Sequence, residues 1–247
     1  MIFQLRKSKI LLNLFIAIGI LAIANLFSVY LIFNSTGMEE KVPRLLIKFF
    51  NVNLEANLPA YFSSLVLLID GILLALIAYG SNAKGGKFWH WIVLSGIFVF
   101  LALDEMIQIH EQLRAPMETL LGTTGILYFA WFIPYVAVTI IIGIAYFKFV
   151  KRLPKRTLKL FILAGVLFIS GAVTMEAISG MHAEKHGEST LTYALMYSFE
   201  ELLEMSGAAL FLYALIDYIT IEFNSLKLKF KPKEDKSKKK NNVILEA

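Results

Sequence analysis

Two carboxylates stand side by side at Asp104 and Glu105, near the end of an apolar run that begins at Phe88 and holds no acid before them. Acids inside a membrane-length segment are costly and persist where they face a partner, an ion or water. A second set, Glu200, Glu201 and Glu204, interrupts the last apolar run, and Glu176 interrupts the run before it. His110 and Glu111 follow the first pair, and His182 and His186 lie between the last two runs. Carboxylates converging from several helices, with imidazoles beside them, are donors for Zn, Fe or Mn. The same groups can carry protons or cations through a membrane protein.

Spacing groups these residues further. On a continuous helix Asp104, Gln108 and Glu111 share one face at i, i+4 and i+7, Glu105 lies about 100° round from it, and His110 points largely the other way. Glu200 and Glu204 are four apart and Glu201 is three before Glu204, so one arc holds all three, with Tyr193 and Tyr197 one and two turns away on that face. His182 and His186, also four apart, offer two imidazoles to one metal if their segment, bounded by Gly180 and Gly187, is helical. The expected metal set is therefore His182, His186, Asp104, Glu200 and Glu204. Asp70, midway along another apolar run, is a candidate relay, and Glu55 and Asn57 precede that run.

The elements that must position these groups follow from composition. The 247 residues are 57% hydrophobic and 17% charged. Soluble domains are nearer a quarter charged, and apolar stretches of about 18 or more residues span bilayers. The expected fold is all-α, a polytopic membrane protein with six transmembrane helices in one bundle. The transmembrane domain covers 1–222, and a basic, disordered tail covers 223–247. The spans are expected at about 10–33, 60–80, 88–113, 126–150, 157–180 and 190–219. A short interfacial helix carries Leu45, Leu46, Phe49 and Phe50 on one face. Pro59 suits a first helical turn, and Pro134 is expected to kink the fourth span. Apolar character continuing to Phe33 favours a retained first helix over a cleaved signal. Cysteine is absent, which excludes disulfides and thiolate metal sites.

Charge sets the orientation. Residues 6, 7, 9, 84 and 87, six cations between 148 and 159, and eight in the tail place 19 of 24 Lys and Arg on one side. The positive-inside rule puts that side, with both termini, in the cytoplasm, across a cell inner (cytoplasmic) membrane. The net charge of +5 thus reports topology, not nucleic-acid binding. Asp104 then lies ~24 Å along an outward-running helix and Glu200 ~15 Å below the outer surface. A polar cavity opening outward accounts for both.

Glu55-Ala56-Asn57-Leu58-Pro59-Ala60-Tyr61-Phe62-Ser63-Ser64, together with Leu103-Asp104-Glu105 and His110-Glu111, resembles signatures of bacterial multi-span proteins of unassigned function. Asp104 and His182-x-x-x-His186 are also similar to part of the motif set of the alkaline ceramidase-like superfamily. That second resemblance implies an intramembrane zinc hydrolase using Ser, Asp and three His, on seven spans where six are expected here. The expected function is a metal-dependent membrane enzyme acting on a lipid-like substrate from the outer leaflet. The alternatives are a proton- or cation-coupled transporter and a non-catalytic ligand-binding or assembly protein. Membrane lipid is the expected partner.

Overall fold

The computed structural model describes residues 7–34, 41–54 and 56–223, so Glu55 and the tail beyond Phe223 lie outside the described residues. All secondary structure among the described residues is helical. Among the described residues six helices are long and apolar enough to cross a membrane. Helix α1 is Lys7–Asn34, and the amphipathic α2 (Lys41–Phe50) leaves Leu45 and Phe49 exposed. Helix α3 (Leu58–Ala83) starts at Asn57, whose Oδ1 accepts the Ala60 N–H at 2.8 Å, with Pro59 in the first turn. Asn57 is therefore occupied as a cap.

Helix α4 (Trp89–Ile107) is held to α3 by two serines. Ser64 Oγ donates to the Ala102 carbonyl and Ser95 Oγ to the Gly71 carbonyl, each at 2.7 Å. The expected span to Leu113 is cut short, because Gln108 adopts φ 52°, ψ 52° and ends the helix. The single turn α5 (Ile109–Gln112) takes the place of the end of that span, and α6 (Arg114–Leu121) forms between the expected third and fourth spans. A 3-10 turn at Gly125–Leu127 leads to α7 (Phe132–Val150). Pro134 sits in the first turn of α7, where its missing N–H is not needed, so it marks a helix start and no kink.

Helix α8 (Lys155–Ile169) runs through a π-helical stretch, Ser170–Met175, into α9 (Glu176–His186). The segment 181–186, expected as a loop, is thus helical and ends at Gly187 with φ 81°. Helix α10 (Leu191–Phe223) is the most enclosed of the spans and packs against α1, α3, α8 and the π stretch.

The approach of α8 to α10 is close enough to demand glycine. A Cβ on Gly207 would stand 2.7 Å from the Phe168 nitrogen, and one on Gly171 2.6 Å from Glu204 Cγ and 2.7 Å from the Glu200 carbonyl oxygen. Small residues at such crossings let helix backbones touch where no hydrophobic driving force separates protein from lipid. At Gly171 this contact sets the π stretch directly against the glutamates of α10.

The two ends of the bundle differ. One, the acidic end, holds the C-termini of α4 and α9 and the N-terminus of α10. The other, the basic end, holds the start of α1, the α7–α8 connection and the C-terminus of α10.

Candidate functional site

The break at Gln108 turns the chain back on itself and changes the expected face. His110, expected to point away from Asp104, donates its backbone N–H to Asp104 Oδ1 at 2.8 Å, and its Nδ1 lies 3.1 Å from Oδ2. Tyr135 on α7 donates its hydroxyl to Asp104 Oδ1 at 3.0 Å. Asp104 is therefore buried but fully engaged, by a turn and by a second helix. Burial pulls the His110 imidazole down; the Asp104 hydrogen bond and charge, with Glu105 and Glu111, push it up and prevail, so its pKa rises above the ordinary value. Glu111, no longer on a shared helical face with Asp104, is exposed at the rim, and Gln108 serves as the αL cap.

Behind this dyad the glutamates converge. Glu105 lies within electrostatic reach of Glu201, His110, Asp104 and Glu111. Glu204 feels Glu201, Glu105, Glu176 and Asp104, and Glu201 feels Glu111 and Glu176. Glu176, the first residue after the π stretch, comes within hydrogen-bonding reach of Glu200 and accepts the Trp131 indole N–H at 2.6 Å. All five glutamates are half-buried. Like charges so close in a poorly solvated setting cannot all stay ionised without a cation.

Three participants carry no strong signal in the sequence. Trp131 and Tyr135 are four apart in an apolar run and read as ordinary packing; here one holds Glu176, the other Asp104, and the Trp131 ring lies 4.5 Å from His110. Arg114 is half-buried over the Phe129 ring at 4.1 Å, pairs with Glu188 at 2.6 Å and Glu118 at 3.1 Å, and acts on Glu176. Burial lowers its pKa, but those two carboxylates raise it further, so it is a fixed cation at the rim.

The remaining predicted residues divide. His182 and His186 do stack on one helix, with ring centroids 4.8 Å apart. They stand at the rim, where His182 Nε2 is 2.9 Å from Thr190 Oγ1 and His186 is exposed. Among the described residues no group of three or more His, Asp or Glu is close enough together to hold a metal ion, so the five-residue metal set is not drawn together. Tyr193 and Tyr197 are buried against each other, with ring centroids 5.6 Å apart. Asp70 stands apart on α3, wholly buried, and neither oxygen has a hydrogen-bond partner among the described residues. Ser63 Oγ, two turns closer to the acidic end, is likewise buried and unpartnered.

No curated protein matches the chain, and no solved structure does. The family model for a domain of unknown function (DUF8692) matches residues 13–218, a range that reaches into all six long helices and holds every group described at the acidic end, and the chain belongs to that family.

Proposed function

We propose that the chain is a multi-pass inner-membrane protein whose acidic end faces outward and loads protons or a cation, coupled to passage of a polar ligand. The observation that carries this reading is the convergence of Glu105, Glu176, Glu200, Glu201 and Glu204 from three helices, with His110 and Arg114 but no matching set of cations among the described residues. Such a cluster must exchange charge with its surroundings, which is what ion-coupled carriers do. Asp70, buried with no partner between the two ends, supports a step from the cluster toward the basic end. The orientation rests on the charge asymmetry of the chain ends and connections.

A second reading, a metal-dependent enzyme acting on a lipid-like substrate, is favoured by the Asp104–His110–Tyr135 arrangement. There a carboxylate orients an imidazole beside the cluster, as carboxylates do behind a metal-binding histidine or a general base. Under this reading Zn, Fe or Mn would be drawn from the glutamates and His110, with His182 and His186 as the rim pair.

Glu204→Gln separates the two. In a proton-loading cluster, removing one charge relieves repulsion, so the thermal midpoint of the detergent-solubilised protein holds or rises, and a chelator changes nothing. In a metal site the same change removes a ligand, and chelator lowers the wild-type midpoint toward that of the variant. A midpoint lowered by Glu204→Gln and indifferent to chelator would falsify the shared cluster itself.

A further inference from the structure

The basic end carries a feature that the acidic cluster does not explain. A groove opens between the first turns of α8 and the last turns of α10, lined by Lys155, Arg156, Lys159, Leu160 and Tyr213. We propose that this groove binds the phosphate headgroup of an anionic glycerophospholipid. The proposal rests on the membrane placement of the helices and not on the chemistry of the acidic end.

Three observations converge on it. Arg156 is held in place from one side, its Nη2 donating to the Tyr213 hydroxyl at 3.0 Å and its Nε lying 3.0 Å from the buried Asp217. The guanidinium is thus anchored at the groove wall, with donors of its fork left for an acceptor there. Lys155 and Lys159, by contrast, pair with no carboxylate among the described residues. Three cations therefore surround one groove, and the one carboxylate engaged with them lies behind its wall.

The backbone adds to this charge. Helix α8 begins after Pro154 with no side chain capping its first turn, so its free N–H groups lie beside the same groove. Uncapped helix starts favour anions through these groups and the helix dipole.

The third observation selects a lipid over a soluble anion. Along α8, Lys155 and Lys159 are continued at helical spacing by Ile162, Val166 and Ile169, all exposed. One face thus reads as two cations at the end of the bundle and then an apolar stripe running toward its middle, which matches a phosphate followed by acyl chain. Basic pockets between spanning helices on the cytoplasmic side bind such headgroups.

The test titrates phosphatidylglycerol into the purified full chain in neutral detergent and reads the thermal midpoint. Phosphatidylcholine and inorganic phosphate serve as the other arms. Phosphatidylglycerol is expected to raise the midpoint and the other two to leave it. Lys155→Ala with Lys159→Ala should weaken the apparent affinity roughly thirtyfold, from about a fivefold contribution per cation. Its midpoint in phosphatidylcholine should stay that of the wild type, which shows that folding is intact. Lys84→Ala with Lys87→Ala, at the same end of the bundle, should bind as the wild type does. Equal loss in both double variants would reduce the effect to general surface charge and overturn the site. An equal rise with inorganic phosphate would make it a soluble-anion site, and undiminished binding by the Lys155/Lys159 variant would remove it altogether.

Discussion

Helix α10 buries carboxylates at both ends and treats them in opposite ways. At the basic end Asp217 is wholly buried, yet Lys7 of α1 lies 2.5 Å from one oxygen and Arg156 of α8 3.0 Å from the other. Toward the acidic end Glu200, Glu201 and Glu204 meet other carboxylates. A buried charge with two cations ties three helices together and leaves nothing to exchange. A group of half-buried like charges does the reverse, since its stability depends on what it takes up. The contrast identifies Asp217 as structural and the glutamates as the functional candidates.

The comparison can be broken at its largest scale by finding which end faces the cytoplasm. A reporter active only outside the cytoplasm should be silent when fused after Ile219 and active when fused at Glu184. This effect is all-or-none, and the reversed pattern would leave the acidic cluster facing inward. Next in size is Asp217→Asn. Breaking a buried pair typically costs ~3–5 kcal/mol, and because Lys7 and Arg156 can rehydrate, about 2–3 kcal/mol of unfolding free energy should be lost here. Glu204→Gln, by comparison, should cost nothing. Equal losses would mean that both ends are structural.

The smallest effect concerns His110. Its folded pKa lies above the ordinary 6.5, so its contribution to stability is fully present below pH 6.5 and is lost as pH rises through the folded value. Asp104→Asn should flatten that slope in a series of thermal midpoints taken across neutral pH. A slope that survives the substitution would assign the titration to another group.

Much of this architecture is legible in the chain. Six apolar runs, Pro59 in a first helical turn and the acids that interrupt the runs are local signals, and a long helix forms on each run, although the third ends early at Ile107 and the fourth starts late at Phe132. What escaped depends on backbone choices that side chains do not announce. Gln108 in the left-handed region has no glycine to advertise it, so His110 was placed on the wrong side of Asp104. Partners distant in sequence escaped for another reason. Lys7 and Asp217 are 210 residues apart, and Asn25 on α1 reaches Ser198 Oγ at 2.8 Å and the Val52 N–H at 3.1 Å. No periodicity reports pairs of that kind. For the expected metal set, residue type and helical spacing were legible but distance was not: His182 and His186 lie side by side on one helix, and no group of three or more His, Asp or Glu comes together for a metal among the described residues.

The π stretch at Ser170–Met175 has a consequence for any comparison of related chains. A π turn holds one residue more than the α turn it replaces, and each α-helical residue advances about 100° around the axis and 1.5 Å along it. Deleting a single residue there would restore an α turn of nearly the same rotation and rise, leaving α8 intact and Glu176 and His182 close to where they stand. A one-residue gap at this position is therefore compatible with an unchanged site, and it is an alignment forced through without the gap that sets Glu176 and every residue after it one position off its counterpart.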